Sequence, residues 1–276
     1  MSKTYDFQRP NSLPVESLRD FINILRQDIK FKLPPFKFYY KYRAKKYAKH
    51  KTPELNLIKF LTNQNQNSLD IGANLGLFTY FMSTYSKKVI AIEPNPLPLR
   101  YLYDLVEDNV EILPIAAGNK DKKIELIIPK SKKGWSSNGA SLKANDYKQS
   151  NKVNVLCRKI DSLKISDLAL IKIDVEGFEK EVIEGAKETI KLQKPNLIIE
   201  NEIIHHDDPT SLFSILINFG YKIFFCDNSH KLQKVDRRFE FLKEQKNPEI
   251  KQYGYIQNFV CIHQSKLETY KKIIKN

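Results

Sequence analysis

The chain has 276 residues, 41% of them apolar and 11% aromatic, enough to bury a core and to exclude general disorder. Its net charge of +14 is uneven: residues 1–67 carry a net +9 and the rest of the chain only +5, so the basicity belongs to the N-terminal quarter. No apolar run approaches the ~20 residues of a membrane span, and Met1–Pro14 lacks an apolar signal core. Cys157, Cys226 and Cys261 are far apart and form no CxxC, which argues against a disulfide framework and a cysteine-based zinc site and leads us to expect a reducing, cytoplasmic setting.

In chain order, Leu18, Phe21, Ile22, Leu25 and Ile29 fall at helical spacing and predict a helix over 12–29, broken by Leu33-Pro34-Pro35. From Lys30 to Lys51 there are nine Lys or Arg, interleaved with Phe and Tyr, and no acid. Leu55–Leu61 predicts a short second helix. We read residues 1–60 as a basic, aromatic-rich helical extension and 61–276 as the main domain. There the pattern alternates. Ser68–Ile71, Lys88–Ile92, Val110–Ile115, Ala169–Asp174, Asn196–Glu202, Tyr221–Cys226 and Asn258–His263 predict strands. Leu75–Tyr85, Pro98–Asp108, Phe178–Leu192 and Pro209–Phe219 predict helices, the last opened by Asp208-Pro209 and stopped at Gly220. Such alternation implies a mostly parallel α/β sheet covered on both faces. Residues 119–157 interrupt it, with Lys123–Ile128 and Val153–Cys157 expected to pair around a lid or acceptor-site wall.

Two stretches carry chemistry. In Ser68-Leu-Asp-Ile-Gly-Ala-Asn-Leu-Gly76 a strand ends at Asp70-Ile71, Gly72, Ala73, Asn74, Leu75 and Gly76 make the turn, and a helix follows. This is a nucleotide-type loop. About twenty residues on, the next strand ends in Glu93, where a carboxylate can hold a ribose diol. A dinucleotide pyrophosphate would be repelled by Asp70, and no Lys-Ser/Thr follows the glycines as a P-loop requires. S-adenosylmethionine, with an ammonium, a sulfonium, a ribose and no phosphate, fits. In the second stretch, Leu170-Ile-Lys-Ile-Asp-Val-Glu-Gly-Phe-Glu179, Lys172, Asp174 and Glu176 alternate along a strand end before Gly177. Asp174 could orient or deprotonate an acceptor hydroxyl, with Glu176, Glu200 and His205 as further candidates on the same rim. The bland readings are that Glu176 caps the helix and that Lys172 merely pairs with Asp174 or Glu200. No tight spacing of acids and histidines supports a metal site.

The segments SLDIGANLGLFTYFMS, AIEPNP, VEILPIAAGN, LIKIDVEGFEKEVIEGA and NLIIENE resemble, in order and spacing, the FkbM-type methyltransferase family over roughly residues 68–226. The resemblance implies a seven-stranded, Rossmann-like class I methyltransferase fold, usually with an antiparallel last strand, and O-methylation, often of sugars in glycans or glycolipids. By position it implies that Asp70, Gly72, Ala73, Asn74 and Gly76 form the cofactor loop and that Glu93 is the ribose ligand. It sets Ala116 and Ala117 near the adenine, and Asp174, Glu176 and Gly177 match the family's Asp-x-Glu-Gly signature.

The basic stretch Lys30–Lys51 admits three roles. Its aromatic residues can pack on the main domain and cap the site; the stretch can lie on an anionic membrane; or it can bind nucleic acid. We prefer them in that order. The expected acceptor is a glycan or glycolipid hydroxyl, with an RNA methyltransferase or a non-catalytic binding module as alternatives.

Overall fold

The computed structural model describes residues 29, 36–50, 52–131, 134–135, 140–142, 150–201, 210–227, 229–235 and 256–275. Helix α1 (Phe36–His50) leads through a 3-10 turn (Pro53–Asn56) and the short α2 (Ile58–Leu61) into β1 (Asn67–Ile71), α3 (Leu77–Tyr85), β2 (Lys88–Ile92), α4 (Pro96–Leu105) and β3 (Val110–Leu113). Next come β4 (Ala116–Ala117), β5 (Lys122–Ser131), β6 (Gly134–Trp135), β7 (Ser150–Arg158) and α5 (Ile160–Leu163). The chain then runs through β8 (Leu168–Ile173), α6 (Glu179–Gly185), α7 (Lys187–Gln193), β9 (Asn196–Glu200), α8 (Thr210–Asn218), β10 (Tyr221–Cys226), β11 (Leu232–Lys234) and β12 (Asn258–His263).

The main sheet has eight strands in the order β11-β10-β12-β9-β8-β1-β2-β3. The neighbours from β9 to β3 pair in parallel. β12 inserts between β9 and β10, antiparallel to both. Seven of the strands are those the sequence predicts, including the antiparallel last one, and the eighth, β11, is a three-residue edge strand. Strand order reverses at β1 and β8, so the loops after these two strands open the crevice where an open α/β sheet binds ligands.

Alternate residues of the central strands enter opposite layers. Ile171 and Ile173 of β8 and Leu197 and Ile199 of β9 join one cluster with α6, α7 and α8. Leu170 and Ile198 face the other way, onto Phe78 and Met82 of α3 and onto Ala48, Leu55, Leu57, Ile58 and Leu61. Each of those last four side chains is fully buried and contributes about 2 kcal/mol of hydrophobic burial. The segment before β1 is thus part of one face of the core.

Three predicted elements change form. The single helix over 178–192 is two helices, α6 and α7, broken at Ala186. A Cβ on Gly185 would lie 1.9 Å from the Gly118 carbonyl oxygen, so this turn packs backbone to backbone against the loop after β4. β3 stops at Leu113, and Ala116–Ala117 pair with β7 in a second sheet, ordered β4-β7-β5-β6. Leu55–Leu61 splits into the 3-10 turn and α2. The 119–157 interruption is that second sheet, with β5 and β7 antiparallel as expected. The predicted helix over 12–29, apart from Ile29, and the Asp208-Pro209 cap lie outside the described residues.

Candidate active site

β1 delivers Asp70 to the crevice floor and then turns. A Cβ on Gly72 would sit 1.7 Å from the backbone oxygen of Asp174, so only glycine lets the β1 loop touch the β8 loop. Asn74 takes φ 50°, a left-handed conformation that asparagine tolerates. The turn is braced from the next strand. The Asn74 amide donates to Glu93 Oε2 at 2.7 Å and the Asn95 amide to Glu93 Oε1 at 2.8 Å. Burial pushes the Glu93 carboxyl up to about 7 against these two hydrogen bonds, and the charges of Asp174 and Asp70 push the same way.

Asp70 is fully buried. Thr79 Oγ1 donates to its Oδ2 at 2.5 Å, while Oδ1 is buried and meets no donor among the described residues. Burial raises the Asp70 pKa; the Lys172 charge and the Thr79 hydrogen bond oppose it. A buried carboxylate oxygen without a donor is costly unless a ligand supplies one.

β8 is apolar and buried except for Lys172, which shares its layer with Leu170. Its Nζ donates to Asp174 Oδ2 at 2.6 Å and lies 4.9 Å from the centre of the Phe78 ring. Burial works against the ammonium, but the charges of Asp174, Asp70 and Glu200 outweigh it and hold the lysine pKa above its usual value. One buried cation therefore serves carboxylates at the ends of three adjacent strands, β1, β8 and β9. The sequence marks Lys172 as an oddity in an apolar strand; only the packing shows that it is the shared counter-charge.

The loop after β8 is braced by Glu179. Glu179 Oε1 accepts from the Val175 and Gly177 amides at 3.1 and 3.0 Å, which stabilises Glu176 at φ 53°. Both amides precede the N-cap residue Phe178, so this acid in the first turn of α6 braces the loop; among the described residues no side chain caps the helix. Ser141 Oγ, in the insertion, donates to the Glu176 carbonyl at 2.9 Å, tying the second sheet across this loop.

These groups line one cavity of about 600 Å³. It brings together Asp70, Gly72, Ala73, Asn74, Glu93, Ala116, Ala117, Asp174, Glu176 and Glu200. Gly76 is the N-cap of α3 beside the cavity, with a built Cβ 2.7 Å from Leu102 Cδ1. His205 lies outside the described residues, as do Glu202, His206, Asp207 and Asp208. Further lining residues come from the two segments the sequence suggested as a cap and a wall of the site, and from β12, although the sequence did not single them out one by one. Leu126, Ala140 and Leu142 come from the insertion, Gln257 and Asn258 from the start of β12, and Tyr40, Ala44, Tyr47 and Thr52 from α1 and the turn after it. The i, i+4, i+7 spacing of 40, 44 and 47 is the signal that could have found the inner face of α1. Among the described residues no group of three or more His, Cys, Asp and Glu is arranged to hold a metal ion.

S-adenosylmethionine fits this set. The donor-seeking Asp70 oxygen suits an ammonium, Glu93 retains lone pairs for a ribose diol, and the buried Ala116 and Ala117 leave a flat apolar wall for an adenine. Among the described residues the one Lys or Arg that lines the cavity is Lys172, and it is paired with Asp174.

Over 76 residues the chain is 34% identical to a tRNA(Phe) (4-demethylwyosine(37)-C(7)) aminocarboxypropyltransferase of Methanocaldococcus jannaschii, covering 26% of this chain and 30% of that protein. A crystal structure of a methyltransferase FkbM from Methylobacillus flagellatus superposes with a TM-score of 0.44 at 17% identity, covering 72% of this chain and 44% of that one. A TehB-like S-adenosylmethionine-dependent methyltransferase from Corynebacterium glutamicum gives a TM-score of 0.43 at 12% identity, covering 83% of this chain and 98% of that one. The chain therefore spans less than half the length of the first two of these proteins. The methyltransferase FkbM domain is matched over residues 70–223, more than half of the chain, running from the Asp70 loop into β10; the chain belongs to the FkbM methyltransferase domain family.

Proposed function

We propose that the chain is a cytoplasmic S-adenosylmethionine-dependent O-methyltransferase acting on a sugar hydroxyl of a glycan or glycolipid. The observation that carries this reading is the continuity of the cavity. Its Asp70–Glu93 end suits the cofactor, and it runs on to Asp174, Glu200, Gln257 and Asn258. These carboxylates and amides accept and donate hydrogen bonds in the manner a polyol requires, and the same carboxylates disfavour a phosphate backbone.

S-adenosylmethionine, when bound, supplies a methyl group on a sulfonium. The protein's part is to align an acceptor oxygen in line with that carbon and to take its proton as the new C–O bond forms and the S–CH3 bond breaks. Asp174 is the first candidate for holding that hydrogen. Its Oδ2 accepts from the Lys172 ammonium, so in this reading the carboxylate orients the hydroxyl in the ground state and accepts the proton late, as the oxygen becomes acidic on methylation. Glu200, at the end of the adjacent strand, is the second candidate; Glu176 and His205 are further ones. Tyr47, with the insertion residues Leu126 and Leu142, supplies apolar surface for a sugar face.

The test is transfer of a labelled methyl group from S-adenosylmethionine to glycan, glycolipid and RNA fractions of cells lacking the protein. Label in a sugar is the expected result. Label in RNA alone would replace the sugar acceptor by a nucleic acid, and S-adenosylhomocysteine binding without transfer to any fraction would leave a binding module.

A further inference from the structure

Helix α1 has two faces with different work. Tyr40, Ala44 and Ala48 are buried and Tyr47 is half-buried; together they pack on the domain, and Tyr40, Ala44 and Tyr47 form one wall of the cavity. The opposite stripe is Tyr42, Lys45, Lys46 and Lys49, at i, i+3, i+4 and i+7, all exposed, Tyr42 at 64%. Lys41, between the two faces, is neutralised by Glu107 at 2.7 Å. Lys45, Lys46 and Lys49 have no carboxylate partner among the described residues, and the sequence supplies no acid between Lys30 and Lys51.

From this we infer that the outer stripe of α1 is a docking surface for an anionic membrane, which it holds beside the cavity that its inner face lines. Charge complementarity identifies the partner. Three uncompensated lysines on a convex helix, with one exposed tyrosine in line, match a plane of anionic headgroups, where lysines meet lipid phosphates and the phenol sits at the interface. A single-stranded nucleic acid asks for something else: a groove that tracks the backbone and several aromatic platforms. Among the described side chains the stripe has one exposed aromatic, and the cavity beyond it is ringed by Asp70, Glu93, Asp174, Glu176 and Glu200, which repel phosphates. Docking through α1 brings the cavity to lipid-linked molecules without any spanning segment; among the described residues no helix is long and apolar enough to cross a membrane.

The experiment is sedimentation of the full chain with phosphatidylcholine vesicles, with and without a minority of phosphatidylserine, at low and near-physiological salt. The expected result is binding that requires phosphatidylserine and is released by salt. The triple variant Lys45→Gln, Lys46→Gln, Lys49→Gln should partition about 100-fold more weakly, each lysine contributing about fivefold near an anionic surface. Its melting temperature and S-adenosylhomocysteine affinity should be unchanged, because these side chains touch neither core nor cavity. Failure of the wild-type chain to sediment, equal binding to neutral vesicles, or unchanged binding by the triple variant would each overturn the inference. So would a single-stranded RNA that displaces the vesicles and loses its own binding in the variant. Loss of S-adenosylhomocysteine binding by the wild-type chain would instead count against the methyltransferase reading and leave the vesicle result to stand by itself.

Discussion

Cofactor binding should consume the protonation of Glu93, and the size of the effect follows from the site. Glu93 is buried, braces the Asn74 turn through both oxygens, and titrates at about 7 in the free protein. A carboxylate accepts a ribose diol's hydrogen bonds more strongly than a neutral acid whose proton occupies one oxygen, so the bound state favours the anion and releases a proton. At pH 6 about a tenth of Glu93 is ionised and at pH 8 about nine tenths, which makes binding about tenfold tighter at pH 8, or about 1.4 kcal/mol. Asp70, also raised by burial, adds to the effect in the same direction. S-adenosylhomocysteine is the suitable probe because its amino group stays charged across this range. Calorimetry at pH 6, 7 and 8, in buffers of different ionisation heat, should show affinity rising with pH and protons released on binding. The Glu93→Gln variant should bind more weakly and lose most of the slope. Affinity that is flat or falling between pH 6 and 8, with no buffer-dependent heat, would refute the assignment of Glu93 as a ligand-facing carboxylate.

Lys172→Met should destabilise the fold by about 3 kcal/mol in urea melts, because it leaves the buried Asp70 and the partly exposed Asp174 and Glu200 without their cation; a change below about 0.5 kcal/mol would mean that the three acids are neutralised some other way. Asp174→Asn should keep S-adenosylhomocysteine affinity within a few-fold while lowering methyl transfer by about 10² or more, read in single-turnover assays; an unchanged rate would make Asp174 structural. Glu54 is buried with one oxygen that meets no donor among the described residues, and burial lifts it to about 7. Its folded pKa lies above its unfolded value of 4.5, so its contribution to stability is complete below pH 4.5 and is lost as pH rises through 7, a loss of about 3 kcal/mol. Glu54→Gln should therefore match the wild type at pH 4.5 and exceed it at pH 8; equal denaturation midpoints at both would sink this account.

The amino-acid sequence by itself determined the local layer of this protein. The β-branched runs and helical stripes name seven of the eight strands of the main sheet, because a strand buried on both faces must be a continuous apolar run. The two loops were legible for a local reason: the turn after β1 takes a left-handed φ of 78° at Gly72, which favours glycine, and Asp70, Glu93 and Asp174 stand where strands stop. Gly185 is where local reasoning failed. Nothing in the helical pattern of 178–192 announces a break, since its cause is the approach of Gly118, far away in sequence. Tertiary structure also decided what each acid is. Glu179 and Glu176 look alike in the sequence, yet one holds two loop amides and the other lines the cavity. Lys172 becomes a shared counter-ion only because β1, β8 and β9 lie side by side, and Asp70 and Glu93 acquire raised pKa values only because the domain closes over them. Likewise Tyr40 and Tyr47 enter the cavity because the segment from Ala48 to Leu61 packs into the core below α3. Spacing along the chain encodes backbone geometry over a few residues; burial and charge proximity are sums over residues distant in sequence, and those sums make this site.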